Sequence, residues 1–473
     1  MSECENAFCR RDLLQRAAGG FASIALAGIL ADHQAAGARA ATTADDPLAP
    51  KRPLIPPRAQ RVIFLYMTGG VSHVDTFDPK PRLIGGHGKS ITVDNWQGKL
   101  GQFKRYLKAP QWKFRSGGAC GTAISDLFPH VRDVADELCV IRSMESNHTN
   151  HYEGTLGIHT GSWTFARPSI GAWVSYGLGT ENRNLPSFVV LAPHAPYAGA
   201  QTWGSDFLPG CHQGMQVVPG PTPIPNVRRR VSSDRLQRLE LDFVAAANAR
   251  HRHARPEDAA LDAQIRSMET AFGMQRAAPE AFDVTQETSA THASYGLDRR
   301  AVTGFGWQCL VARRLVERGV RFVEVIDTGS SNNWDSHGDM RDHEHLARNV
   351  DRPIAALIRD LKLRGLLDDT LVVWTTEFGR TPYHESADAK GREHHHQVFS
   401  SWMAGGGVKG GIVHGVSDEF GVAVAKDRVH VHDFHATILH LLGLNHELLT
   451  FRHAGRDYRL TDVYGRVVRE ILA

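Results

Sequence analysis

The chain has 473 residues, 42% hydrophobic and 22% charged, enough for one large core and ordinary for a globular protein. Lys plus Arg (54) nearly balance Asp plus Glu (51), so no global field designates nucleic acid or an anionic membrane as the main partner. The unusual count is 26 His against 9 Tyr and 9 Trp, and imidazole is both a common metal ligand and the side chain that titrates nearest neutral pH.

At the N-terminus, Arg10 and Arg11 precede the apolar, Gly/Ala-rich run Ala17 to Ala31, and Ala38-Arg39-Ala40 offers a small-residue cleavage site. Residues 1–40 resemble a twin-arginine export signal, which leads to the expectation of a periplasmic or otherwise extracytoplasmic protein. The run is shorter than the ~20 apolar residues of a stable membrane span. Residues 41–60 are polar and Pro-rich and read as a linker. Cleavage leaves Cys120, Cys139, Cys211 and Cys309, with no CxxC pair, so structural zinc on cysteine is not expected and disulfide pairing stays open.

From Arg61 onward, short apolar runs alternate with helical patterns. RVIFLYM (Arg61 to Met67), SFVVLAP (Ser187 to Pro193), RFVEVID (Arg321 to Asp327) and TLVVWTTEFG (Thr370 to Gly379) read as strands buried on both faces. The stretch 227–295 is rich in Ala, Arg, Asp and Glu and reads as two or three inserted helices, with His251 and His253 on a solvated surface. Gly306 to Gly319 and Asn349 to Gly365 read as amphipathic helices stopped by glycine. Strand, helix, strand in this order predicts an α/β fold, a mostly parallel sheet with helices on both faces, in one domain over 61–473.

In such sheets, ligands bind beyond the carboxyl ends of the strands. Four strand-end loops there carry His and acids: His73, Asp75 and Asp78; His148, Thr149 and His151; Asp335, His337, Asp339, His343 and His345; and Glu377 and Arg380, followed by His394, His395 and His396. Imidazole and carboxylate gathered from separate strand ends form the ligand set of Zn²⁺ or Mn²⁺, whereas an all-oxygen set suits Ca²⁺ or Mg²⁺. His435 and His440, on the apolar stripe of DFHATILHLLGL, are expected to pack rather than ligate.

GGVSHVDTFDPKP, NHYEGTLGIHTG, WDSHGD, TTEFGRTP, the His394 region, MAGGGVKGG and DFHATILHLLGL together resemble the bacterial proteins grouped as domain of unknown function 1501, sulfatase-like relatives within the alkaline phosphatase superfamily. The resemblance runs from about Arg61 to the C-terminus. It implies one or two divalent ions (Zn or Mn, with Ca as an option) at the strand ends, and hydrolysis of sulfate or phosphate esters. Carried over by position, Asp75 resembles the acidic ligand after the first strand, with His73 beside it. Asp335 and His337 resemble the Asp and His of one metal site, and His394 resembles the late His ligand.

Two positions depart from the superfamily. Glu377-Phe378 stands where an Asp-His pair is usual, which removes one ligand of a second ion. His151 falls at the nucleophile position, beside Thr149, with no cysteine near, so a formylglycine mechanism is not expected. His151 is left as nucleophile, general base or ligand, and a water or Thr149 as the alternative nucleophile. Arg380 is expected either to hold the substrate anion bidentately or to fix its own turn. The expected function is an exported metal-dependent hydrolase of a small anionic ester or a sulfated or phosphorylated glycan. The alternative is a non-catalytic, metal-containing binding protein for anionic polysaccharide or envelope assembly.

Overall fold

Runs dominated by Val, Ile, Leu and Phe on both faces have no side to turn to water, so they settle in the middle of a sheet covered on both faces; a buried acid among them, Glu324, is met by His159 at 2.8 Å. In the computed structural model, which describes residues 46–96, 99–227, 233–255 and 258–473, the four expected runs become strands of one nine-stranded sheet. The expected export signal and the first residues of the linker lie outside the described residues. The strands are β1 (Arg61–Tyr66), β2 (Leu138–Glu145), β3 (Phe188–Leu191), β4 (Met215–Val217), β5 (Phe322–Ile326), β6 (Thr370–Thr375), β7 (Phe399–Ala404), β8 (Ile412–His414) and β9 (Val429–His430). Their order is β8-β2-β7-β6-β1-β5-β3-β4, with β9 also paired to β2.

Every pairing is parallel except those of β7, which runs against both neighbours. This reversal positions the site. Loops that follow β1, β2, β5 and β6 leave the carboxyl edge of the sheet, and the loop that precedes β7 arrives at the same edge. Residues from five separate stretches therefore meet there.

The main helices are α1 (His151–Thr160), α2 (Ile170–Leu178), α3 (Asp234–His253), α4 (Ala259–Phe282), α5 (Phe305–Glu317), α6 (Asp342–Leu363) and α7 (Val431–Leu441). Ile63 and Leu65 of β1 pack into one core with α5, α6 and the end of α4. Val62, Phe64 and Tyr66 point the other way, into a core shared with α2 and α7. The fold is thus α/β, a mostly parallel sheet with helices on both faces. The chain groups into two units: the sheet unit spans Pro47–Arg228 and Ala259–Ala473, and α3 belongs to the other. α3 is capped by Ser233, whose side chain accepts from Leu236 N–H, and ends in the basic turn Arg250 to His253, which suits the helix dipole.

Two local readings are corrected. α6 starts at Asp342, not Asn349, so His343 and His345 lie on its first turn rather than in a loop. Asp342 and Glu344 at that N-terminus are favoured by the helix dipole, which extends the helix beyond its apolar stripe. The hairpin Ser90–Trp96 with Lys99–Leu107, completed by Tyr383–His384, was not expected; its alternation is half polar and gives no buried-strand signal. Cys120, Cys139, Cys211 and Cys309 are not disulfide-bonded to one another. Among the described residues, no helix is long and apolar enough to cross a membrane.

Candidate metal centre

The centre is assembled around Asp335, nine residues past the end of β5. The preceding Trp334 is fully buried, stacks on Phe128 and stands edge-on to His343; its main-chain N–H donates to Thr68 O at 3.0 Å and its indole N–H to Asp327 Oδ2. The buried indole fixes the loop, and Asp335 is left facing the carboxyl edge with 26% of its side chain exposed. Gly69 allows this approach: its φ is +114°, and a Cβ there would lie 2.8 Å from Asp335 N.

Four nitrogen-bearing groups surround Asp335 Oδ1. His337 Nε2 lies at 2.9 Å, His394 Nε2 at 3.1 Å and His151 Nε2 at 3.2 Å, and an Arg380 Nη donates to the same oxygen. The Nε2 atoms of His337 and His394 face each other at 2.9 Å. The nearest ligand atoms of His151, Asp335 and His394 all lie within 4.8 Å of one another.

The other ring nitrogens decide what these atoms offer. His394 Nδ1 is 2.6 Å from Thr149 O, His151 Nδ1 is 2.7 Å from Glu377 Oε1, and His337 Nδ1 is 3.0 Å from Glu393 Oε2. A carbonyl or an ionised carboxylate can only accept, so each Nδ1 carries a proton, and each ring offers its Nε2 lone pair once that atom is unprotonated. Three bare Nε2 atoms converging on one carboxylate, each ring oriented by an acceptor behind it, is the arrangement of a metal-ligand cluster. His151 Nε2 is buried and, lying off the line of a hydrogen bond, has no hydrogen-bond partner. The residues present therefore fit a divalent cation.

Electrostatics agree. Burial alone would raise the Asp335 carboxyl, but the surrounding imidazoles and Arg380 hold it well below the usual carboxylate range. Hydrogen bonds with His337 hold Glu393 down at about 2 and keep it an acceptor. Asp335 and Glu393 push His337 up to about 9, so without a cation this ring holds a proton that a bound ion would have to displace. Burial keeps His394 below its ordinary value, in the neutral form a ligand needs.

Three residues expected as ligands sit elsewhere. Glu377 is fully buried and spent on four donors: Gly69 N–H (2.8 Å) and His151 Nδ1 at Oε1, Tyr66 O–H (2.9 Å) and Thr376 Oγ1 (3.1 Å) at Oε2. Its oxygens are therefore occupied by these donors, and it stands behind the His151 ring rather than at the cluster. Asp75 is closed off by Arg392 Nε at 2.6 Å and Ser72 Oγ at 2.5 Å on Oδ2, with Gln111 N at 3.2 Å on Oδ1. His73 is buried, its Nε2 3.0 Å from Gly421 O.

Of the residues expected to act in catalysis, Thr149 contributes its main-chain carbonyl to His394. Arg380 is buried with its donors on Gly70 O, Arg392 O, Gly69 O and Asp335, so it fixes the turn and neutralises Asp335 rather than reaching outward for an anion. His151 opens α1, whose N-cap Asn150 accepts from Tyr152 N–H at 3.0 Å. Gly154, one turn on, lets the Phe378 ring approach to 3.0 Å of where a Cβ would stand, which brings Glu377 against His151.

Sequence reasoning missed Glu393, Tyr66 and Tyr197. Glu393 precedes His394 and its type was visible, but its pairing with His337 is set by the fold. Tyr197 arrives from the loop after β3 and stacks on His151 with centroids 4.2 Å apart.

Among solved structures, the chain is similar to the PsFucS1 sulfatase from Pseudoalteromonas sp., with a TM-score of 0.34 and 13% identity over 83% of this chain and 69% of that one. It is similar to the phosphonate monoester hydrolase SpPMH from Silicibacter pomeroyi (TM-score 0.32, 13% identity, 73% and 71% covered). It is also similar to the alkaline phosphatase from the Antarctic bacterium TAB5 (TM-score 0.33, 12% identity, 82% and 99% covered). No curated protein matches the chain. The family described as "Protein of unknown function (DUF1501)" matches residues 59–472, and the chain belongs to that family.

Proposed function

We propose that the protein is an exported, metal-dependent hydrolase of sulfate or phosphate esters, acting on a small anionic ester or on a sulfated or phosphorylated glycan. The carrying observation is the convergence of bare imidazole Nε2 atoms on Asp335 Oδ1. The motif resemblance supplies the ester class, and the twin-arginine leader supports export.

Asp335, His337 and His394 would hold the ion. Their nitrogen-rich set fits Zn²⁺ or Mn²⁺ better than Ca²⁺, which prefers oxygen donors. When bound, such an ion polarises an ester oxygen and makes water more acidic. Hydrolysis joins a water oxygen to sulfur or phosphorus, breaks the bond to the alcohol oxygen and moves one water proton to the departing alkoxide. The chain's own part is to orient the rings through Thr149 O and Glu393, and to hold Asp335 ionised beside Arg380. His337, with 40% of its side chain exposed, marks the open side of the centre. With Glu377 and Asp75 committed elsewhere, the reading is of a single ion.

One observation favours the binding-protein alternative: the nucleophile position holds neither Ser nor Cys but His151, whose Nδ1 is tied to the buried Glu377. The two readings separate in a screen of the purified chain against aryl sulfate, phosphate monoester and phosphodiester with Zn²⁺ and Mn²⁺. Turnover that disappears in an Asp335→Ala/His337→Ala variant is the expected result. Turnover that survives in that variant rules the proposal out, and absence of turnover together with saturable glycan binding transfers support to the alternative.

A further inference from the structure

We infer that His151, the residue at the nucleophile position, is a metal ligand and neither a nucleophile nor a base, and that Tyr66 and Glu377 are the positioning residues that make it one. The inference rests on the metal centre proposed above.

Neither ring nitrogen of His151 is turned toward a substrate. Nδ1 donates to Glu377 at 2.7 Å, and Nε2 points at the cluster 3.2 Å from Asp335 Oδ1. The ring also has nowhere to turn. Tyr197 lies flat against it (centroids 4.2 Å, interplanar 10°), Phe378 packs at 4.9 Å, and His394 stands edge-on at 4.3 Å. A nucleophile or base has to bring a lone pair to the substrate, whereas this lone pair is held in plane toward the other ligand atoms.

What fixes the proton on Nδ1 is a chain of hydrogen bonds. Glu377 Oε1 receives Gly69 N–H, which can only donate, and Oε2 receives Tyr66 O–H at 2.9 Å. The Tyr66 oxygen in turn accepts from Thr155 Oγ1 at 2.9 Å. Thr155 is four residues after His151 on α1, so the two lie on one helix face and the chain of bonds ends one turn from its start. A carboxylate met by donors at both oxygens stays ionised and leaves Nδ1 no alternative but to donate. Groups that orient a ligand imidazole in this way typically change metal affinity by about 10–100-fold when altered. Tyr66 touches no ligand atom of the centre, yet it belongs to this set.

The test measures Zn²⁺ affinity of the full chain by competition with a chromophoric chelator, with folding checked by circular dichroism, beside ¹⁵N-histidine NMR. His151→Ala is expected to lose on the order of 100-fold in affinity, and Tyr66→Phe and Glu377→Gln about tenfold or more. The His151 Nε2 resonance is expected to shift on adding Zn²⁺ while Nδ1 stays protonated. A purely structural role for Tyr66 would leave that resonance and the affinity unmoved. In parallel, an alkaline quench during turnover of a ³²P-labelled phosphate ester, which preserves the P–N bond, should trap no phosphohistidine. Wild-type affinity in His151→Ala, wild-type affinity in a folded Tyr66→Phe, or a trapped phosphohistidine at residue 151 overturns the inference while leaving the centre standing. A wild-type chain that binds no Zn²⁺ removes both.

Discussion

Asp75 and Asp335 stand at the ends of neighbouring strands, each beside a buried arginine, yet their surroundings give them opposite roles. Asp75 is fully buried and every group at its oxygens is a donor, chiefly the guanidinium of Arg392. It is a closed ion pair that ties the loop after β1 to the segment before β7. Asp335 is part exposed, and apart from Arg380 its neighbours are imidazoles whose protons are held on the far nitrogen. What separates the proposed ligand from the structural acid is the outward acceptor behind each ring, and that is not a property of the aspartate itself.

The comparison can be broken most forcefully at Asp75. Removing its carboxylate leaves Arg392 buried and unpaired, so Asp75→Ala is expected to cost about 3–5 kcal/mol of stability in urea unfolding with metal content unchanged. Asp335→Ala should show the reverse, metal lost with a smaller change in stability. Equal metal loss in both variants would erase the distinction.

A second break uses pH. Burial depresses His73 and His435 to about 4 and His212 and His343 to about 3. These rings are neutral in the folded protein, while the unfolded chain protonates them near 6.5. Their contribution is therefore complete above pH 6.5 and lost as pH falls toward 4, with a slope of up to about 1.4 kcal/mol per pH unit for each ring. His343 accepts from Ser72 N–H and faces Ser336 Oγ, both of which glutamine can satisfy, so His343→Gln should flatten the acid limb of a stability curve by about one proton. An unchanged slope would show that His343 does not titrate on unfolding.

Arg380→Lys provides a finer test. Lysine cannot reproduce the planar fork that joins Gly69, Gly70 and Asp335, so stability should fall by about 1–3 kcal/mol. KM for a small ester should stay within about twofold, because the guanidinium faces the protein; a large rise in KM would restore it as an anion clamp. The smallest effect is expected at the surface pair Asp339–Arg341, where Asp339→Ala should change stability by less than about 1 kcal/mol.

The strands were legible because RVIFLYM, RFVEVID and TLVVWTT are apolar on both faces, a pattern tied directly to burial in a parallel sheet. Asp335, His337 and His394 were legible as chemistry at the carboxyl edge for the same reason. Glu377 and Asp75 were read by position and residue type, and neither carries information about partners hundreds of residues away, such as Tyr66 or Arg392. His151 shows the limit most sharply. Counting along the chain finds its place at the start of α1, but only the fold reveals that Glu377 occupies one nitrogen and that aromatic rings hold the other inward.

The most direct test of the metal centre is the metal content of the purified Ala41 to Ala473 chain by mass spectrometry, beside a folded Asp335→Ala/His394→Ala variant. The account predicts one tightly held Zn²⁺ or Mn²⁺ per wild-type chain and none in the variant. A wild-type chain that stays metal-free after incubation with both ions, or a variant that retains the ion, would contradict it.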